Sequence, residues 1–264
     1  MYLRLLALAL AGMSAGAQQP VPSQGVNLYS KEKEASLGAV LAEDLRKESD
    51  PLASDTVRMY VERLGARLAA QAPEVTGPYR FEVIADYKAT NAVYEPTVLP
   101  GGYVFVPAGL LLAARDEAEF AGMLAHAVAH VAARHETRQR SRVQIAQTME
   151  MPLVFSSGSR APLAFLQFAL AYELEADLLA VPIMTGAGYD PSALLRYIQR
   201  VQVDSPGSAG PSSPLPPRDK RVAALKEAIA ALPAREYSVG SDFARIQNEV
   251  RSLTPPAPPS LRRP

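Results

Sequence analysis

The sequence predicts an α+β fold, mostly helical with one small β-sheet, and three observations carry that expectation. Apolar residues recur at helical spacing over most of the chain, a stretch near residue 80 switches to alternation with Ile84 as its imperfect position, and a β-branched and aromatic run follows a Pro-Gly-Gly turn. With 264 residues, 48% of them hydrophobic, the chain can bury one substantial core but not two large ones.

The elements follow in order. Arg4, the apolar run Leu5 to Ala11 and the small-x-small triplet Ala15-Gly16-Ala17 read as an export signal over residues 1–17, so the mature chain begins at Gln18. An uncleaved anchor is the alternative, but the apolar run falls short of the ~20 residues that span a bilayer, which leaves peripheral contact as the membrane association open to the mature chain. Residues 18–25 form a Pro/Gln/Ser linker, residues 26–254 one domain, and residues 255–264 a Pro-rich, disordered tail. Lys31 to Lys47 places Leu37, Val40, Leu41 and Leu45 on one helical stripe, and Asp55 to Gln71 does the same with Val57, Tyr60, Val61, Leu64 and Leu68.

From Tyr79 the period becomes two: Tyr79, Phe81, Val83 and Ala85 share one face of a strand. Pro100-Gly101-Gly102 turns the chain into a second strand, Tyr103 to Val106. Asp116 and Glu119 have capping-box spacing and open a helix expected to reach about Arg138. Ser141 to Arg160 is poorly periodic and reads as a helical end followed by a mobile loop. Leu163 to Met184 is helical, with Pro182 expected to bend or end it. Asp190-Pro191 caps and opens Ser192 to Gln202. A Ser/Pro/Gly loop, Asp204 to Pro217, leads to a last helix near Asp219 to Leu232.

Composition removes several function classes. Lys+Arg and Asp+Glu are both 27, and no basic block is present, so nucleic acid is not an expected partner. The absence of cysteine removes disulfides, lipoprotein attachment at a lipobox and thiolate chemistry, so any metal must be held by histidine and carboxylate. His126 and His130, four apart inside the capped helix, project from nearly one face, where two imidazoles can share one Zn²⁺. An isolated pair at this spacing is more often two partly exposed helix histidines. Leu124, Val128 and Val131, however, give the helix a separate core side. Glu173 and Asp177 are also four apart, in an apolar segment where an unpaired carboxylate is costly; zinc would compensate Glu173, and Asp177 could orient an imidazole. Two solvated surface acids are the alternative reading.

Four segments then occur together in a recognisable order: Leu99 to Val106, Leu124 to His135, Glu173 to Asp177, and Ala187 to Pro191. In these the chain resembles the gluzincin zinc metallopeptidases of the CAAX prenyl protease, HtpX and BepA type, over roughly Val26 to Leu232. The resemblance implies a mostly helical zincin-like metalloprotease domain with zinc as cofactor. It implies His126, His130 and Glu173 as ligands and Asp177 as the acid behind them. It further implies that Tyr103, Val104 and Phe105 lie on an edge that takes an extended peptide by strand addition. Periplasmic location and polypeptide substrates, including unfolded envelope proteins, follow from the same likeness.

The chain departs from that pattern at the position that matters most for turnover. In H-E-x-x-H the glutamate accepts a proton from the attacking water and returns it to the leaving amine, and here the position is Ala127. No replacement is visible: Glu119 lies about 10 Å back along the helix at ~1.5 Å per residue. Glu175 points away from the Glu173 face, and His135 is rotated off the histidine face. Related chains also carry Ser-x-His-Pro-Pro before the last helix, where this one has Ser213-Pro214-Leu215-Pro216-Pro217 and then Arg221. The double loss favours a natural pseudopeptidase over an engineered one. The expected function is a weak or inactive metalloendopeptidase, with a peptide-binding, chaperone-like module in envelope protein quality control as the alternative.

Overall fold

The computed structural model describes residues 25–72, 77–85, 94–150, 153–156, 159–202, 215–237 and 242–253. The export signal, the tail and most of the 204–217 loop lie outside those residues. The fold is α+β, mostly helical with one three-stranded sheet, as expected.

Helix α1 (Lys31–Glu48) opens at Ser30, whose hydroxyl accepts the Lys33 N–H. Its inner face is Glu34, Gly38 and Ala42 rather than the expected leucine and valine stripe; Val40 is 61% exposed. The cause is close approach to the Pro100–Gly102 turn. A Cβ on Gly38 would sit 1.8 Å from the Pro100 carbonyl oxygen, so only small residues fit the contact line. Gly101 in that turn takes φ +74°, a conformation glycine adopts without penalty. Helix α2 (Asp55–Ala69), capped by Ser54, buries Val57, Tyr60, Val61, Leu64 and Leu68 as its spacing predicts.

Strands β1 (Arg80–Ile84), β2 (Thr97–Leu99) and β3 (Tyr103–Pro107) form a sheet in the order β1-β3-β2. β3 runs parallel to β1 and antiparallel to β2. Phe81 and Val83 are the buried residues of β1, as the alternation requires. β3 is buried at every position, with Val104 and Val106 in the main core and Tyr103 and Phe105 packed with Ala42 of α1. This corrects the expectation for Tyr103, Val104 and Phe105. They sit on the central strand, with both backbone edges paired and both faces covered, and so cannot receive a peptide. A run that is apolar at every position marks a strand covered on both faces, and three-residue β2 is too short to stand out in sequence.

Helix α3 (Ala108–Ala113) was not foreseen. Its Leu111 carbonyl and that of Ala114 accept from Gln247 of α9 (Phe243–Leu253), a helix beyond the one expected to be last. Helix α4 (Glu117–Ala132) starts as read, Asp116 accepting the Glu119 N–H at 2.8 Å and Glu119 accepting the Arg115 N–H at 2.9 Å. Between its first turn and Val131 only His130 is not fully buried, because α2, α6 (Leu163–Gly186) and α7 (Ser192–Val201) surround it.

α4 ends at Ala132 instead of running to Arg138. Arg134 takes the left-handed conformation (φ 56°, ψ 37°), and α5 (His135–Thr148) begins after it. That conformation costs a non-glycine residue roughly 1–2 kcal/mol. The Arg134 guanidinium offsets the cost by pairing with buried Glu34 and donating to the Tyr29 carbonyl at 2.7 Å. The same N-terminal stretch is fastened to α5 where Asn27 donates to Thr137 and Ser141 accepts the Leu28 N–H, both at 2.9 Å.

The stretch expected as a helical end followed by a loop holds the end of α5 and then a hairpin, β4 (Leu153–Ser156) with β5 (Ser159–Pro162). α6 (Leu163–Gly186) passes through Pro182. Leu178, whose carbonyl loses its helical donor there, is exposed, as is Pro182, so water can take the hydrogen bond. α7 (Ser192–Val201) has Pro191 rather than Asp190 at its N-cap, with Asp190 just ahead accepting the Ser192 N–H at 2.9 Å, and α8 is Arg218–Ala230. No helix among the described residues is long and apolar enough to cross a membrane.

The α1 contact gives a test by sign. In an open helix Gly→Ala stabilises by up to ~1 kcal/mol. Gly38→Ala should instead destabilise by about 1–3 kcal/mol, because the obstacle is backbone that cannot swing aside. Urea midpoints of the two proteins measure the difference.

Candidate metal centre

The centre is assembled from α4, α6 and the chain just ahead of β2. His126 and His130 come from the same face of α4, their Nε2 atoms 3.0 Å apart. Glu173 of α6 brings Oε2 to 3.4 Å from His126 Nε2 and Oε1 to 3.6 Å from His130 Nε2. The three side chains form the one set of mutually close metal-ligating donors among the described residues, all within 4.8 Å of one another. Two ligands each ~2.1 Å from a tetrahedral ion lie about 3.4 Å apart, so the spacings suit zinc.

The outer nitrogens fix the tautomers. His126 Nδ1 lies 2.9 Å from Asp177 Oδ1, a close ion-pair contact rather than an aligned hydrogen bond. A carboxylate there holds the proton on Nδ1 and turns the Nε2 lone pair inward. His130 Nδ1 faces His135 Nδ1 at 3.1 Å, and His135 Nε2 faces Glu175 Oε2 at 3.3 Å. Burial pushes His135 down to about 4, against the pull of Glu175, so the ring is neutral at pH 7. Its one proton belongs on Nε2, because Glu175 can only accept. His135 Nδ1 is then an acceptor, His130 donates to it from Nδ1, and the His130 Nε2 lone pair also points inward.

Two lone pairs facing each other at 3.0 Å require positive charge between them. A proton is one answer: burial opposes it, but the close carboxylates of Asp177 and Glu173, with the charge of Glu95, lift His126 to about 10. A divalent cation is the other. Glu173 points the same way, since burial raises its pKa but the imidazoles, His130 foremost, hold the carboxyl well below the ordinary range. Its Oε2 is buried without a hydrogen-bond partner, an arrangement a metal would satisfy. The donor set therefore fits a zinc ion with three protein ligands.

Behind the ligands lies a buried ionic chain. Arg221 of α8, fully buried, grips Asp177 with two hydrogen bonds, Nε to Oδ2 at 2.7 Å and Nη2 to Oδ1 at 2.8 Å. Its Nη1 reaches Gln202 at 3.2 Å and Glu95 Oε1 at 3.4 Å. Burial raises the Asp177 pKa, but the charge and hydrogen bonds of Arg221, with His126, leave it below the ordinary aspartate value. Glu95 Oε1 is also 3.6 Å from His126 Nε2, although Glu95 falls outside the compact donor set. Burial first, then repulsion from Glu173, hold Glu95 above the ordinary carboxylate range. A cavity of ≈ 220 Å³ lies in front of the centre, lined by Glu95, Val98, Ala127, His130, Tyr172 and Glu173 among others.

Of the residues singled out in the sequence, His126, Ala127, His130, Glu173 and Asp177 are brought together here. Tyr103, Val104 and Phe105 are not. Four participants escaped sequence reading. His135 was set aside by extending α4 through Arg134, and Ala-Ala-Arg-His carries no glycine to signal a left-handed stop. Its partner Glu175 was therefore read only as facing away from Glu173. Arg221 was noted without a role. Glu95, an acid between Tyr94 and Pro96, belongs to no periodic segment, so nothing local marks it.

Comparison with known proteins adds to this geometry. The sequence profile of Peptidase family M48 matches residues 54–229, well over half of the chain. The beta-barrel assembly-enhancing proteases of Yersinia pestis and Escherichia coli are 26% and 24% identical over 70% and 75% of this chain. The chain spans only 41% and 45% of those two relatives. Mitochondrial metalloendopeptidase OMA1 of Schizosaccharomyces pombe is 30% identical over 64% of this chain and 52% of its own length.

The ionic chain generates a stability prediction. Arg221→Ala leaves Asp177 buried without its guanidinium, and breaking such a pair should cost about 3–5 kcal/mol in a denaturant titration. Because the folded-state pKa of Asp177 is depressed, its contribution is fully present above the ordinary aspartate value and lost as the pH falls through the folded one. Acid unfolding of the unaltered protein should show that loss, and the variant's profile should be flatter over the same range.

Proposed function

The chain belongs to peptidase family M48, and on that premise we propose that it is an exported, periplasmic zinc metalloendopeptidase-family protein that holds polypeptide beside His126, His130 and Glu173 but hydrolyses it slowly. The single observation that carries the metal reading is the convergence of those three side chains from two helices, with both imidazole lone pairs turned to one point. Within the family, the order of the four sequence segments supports the CAAX prenyl protease, HtpX and BepA type, with residues 26–254 as the metallopeptidase-like domain.

Bound at this site, zinc would act as a Lewis acid on the scissile carbonyl and make water a better nucleophile. The chain's own residues do the rest. Asp177 and the His135–Glu175 pair orient the two imidazoles, and Arg221 locks Asp177. The free sheet edge nearest the cavity is β2: its outer side carries no strand among the described residues, and Val98 lines the cavity. An extended peptide would add there rather than along β3, placing a peptide bond beside the centre.

Ala127 supports the slow-turnover reading, since a methyl group cannot move a proton and the loss of a general base costs on the order of 10² to 10⁴ in rate. The same residue supports the second reading, a peptide-binding or chaperone-like pseudopeptidase in envelope protein quality control. The names of the bacterial relatives favour polypeptides of β-barrel assembly as the class of client.

Purified mature chain should take up about one zinc per molecule, the three-ligand stoichiometry, and melt at lower temperature after chelation. Chelator-sensitive casein cleavage should be slow and should rise at least tenfold in Ala127→Glu, approaching what a full base supplies. Cleavage by the unaltered chain as fast as by Ala127→Glu would end the impairment reading, and peptide binding with no cleavage in either protein would favour the chaperone-like one. His135→Phe should weaken zinc about 10–100-fold in a competition titration, the usual cost of losing a group that orients a ligating imidazole.

A further inference from the structure

We propose that Glu95, entering the cavity from the sheet side, is the proton-accepting carboxylate for what peptide hydrolysis this protein performs, in place of the glutamate that position 127 lacks. The inference rests on the metal reading above and adds a catalytic residue to it.

Three observations support it. Glu95 and Ala127 line the same cavity, so the carboxylate lost from α4 is matched by one from the segment just ahead of β2. Glu95 Oε1 lies 3.6 Å from His126 Nε2, close enough to reach a water at the centre, yet Glu95 is not a member of the compact ligand set. From there the carboxylate can accept a proton from that water. Arg221 Nη1 holds Oε1 at 3.4 Å from behind, and the guanidinium is itself immobilised by Asp177, so the carboxylate is pre-positioned.

The step balances. A water oxygen forms the new bond to the scissile carbonyl carbon while one of its protons passes to Glu95. As the carbon–nitrogen bond breaks, Glu95 returns that proton to the departing nitrogen and is itself regenerated. One water is consumed and an acid and an amine are released.

The test compares four zinc-loaded proteins: unaltered, Glu95→Gln, Ala127→Glu, and Glu95→Gln with Ala127→Glu. Glu95→Gln keeps the side chain's size and should keep its zinc and its peptide affinity, while casein cleavage falls on the order of 10²-fold or more. Adding Ala127→Glu to Glu95→Gln should restore cleavage, which a folding defect would not allow. A second readout needs no turnover. A peptide hydroxamate binds zinc as its anion, and calorimetry in buffers of different ionisation enthalpy counts the proton it gives up. The unaltered protein should retain that proton, whereas Glu95→Gln should release about one to the buffer and bind the hydroxamate at least tenfold more weakly.

Unchanged cleavage and unchanged proton count in Glu95→Gln overturn the proposal, as does an unaltered chain that binds zinc and peptide but never cleaves. Loss of zinc from Glu95→Gln makes Glu95 a ligand, overturning this inference while leaving the metal reading intact. An unaltered chain that takes up no zinc overturns both.

Discussion

The arrangement depends on one buried ion pair, Asp177 with Arg221, between α6 and α8. Two charges removed from water must be matched closely to be tolerated, and the bidentate grip supplies that match. Once Arg221 fixes Asp177, Asp177 fixes the tautomer of His126 on α4, so three helices are registered against one another by electrostatics as well as by packing. Three carboxylates, Glu95, Glu173 and Asp177, then face a single guanidinium around the two imidazoles. Such a cluster is stable only where further positive charge can enter, as a proton or as a metal ion. The fold thus carries its preference for a cation in groups that never touch it.

Much of this was legible in the sequence, and the reason is local. His126 with His130 and Glu173 with Asp177 are pairs at helical spacing, and helical spacing is the one geometry that a string of residues states directly. The capping of α4 by Asp116 is equally local. What sequence could not state is what a second element does to the first. The apolar run of β3 is compatible with an edge or a centre, and only the pairing of β1 and β2 on either side decides. The stripe on α1 was read from side-chain size, whereas the Pro100 carbonyl selects for the absence of a side chain.

The site shows the same division. Glu95, Arg221 and the His135–Glu175 pair reach the histidines from separate segments, and none has a partner at a spacing that would announce it. Ala127 was legible as a departure, but its meaning depends on what stands across the cavity from it. A missing side chain is a local fact, and its replacement by a group more than thirty residues earlier is a tertiary one.

The left-handed elbow at Arg134 has a consequence for how this protein can vary. The bend is what sends His135 back to His130, and it is held by Glu34 on the first helix, remote in sequence from any ligand. Selection on the histidines is therefore shared by a glutamate whose neighbours look like ordinary surface, and a drift at position 34 to an apolar residue would relax the elbow before it touched the cleft. Among kindred chains, the acid at 34 and the arginine at 134 should be inherited or lost together.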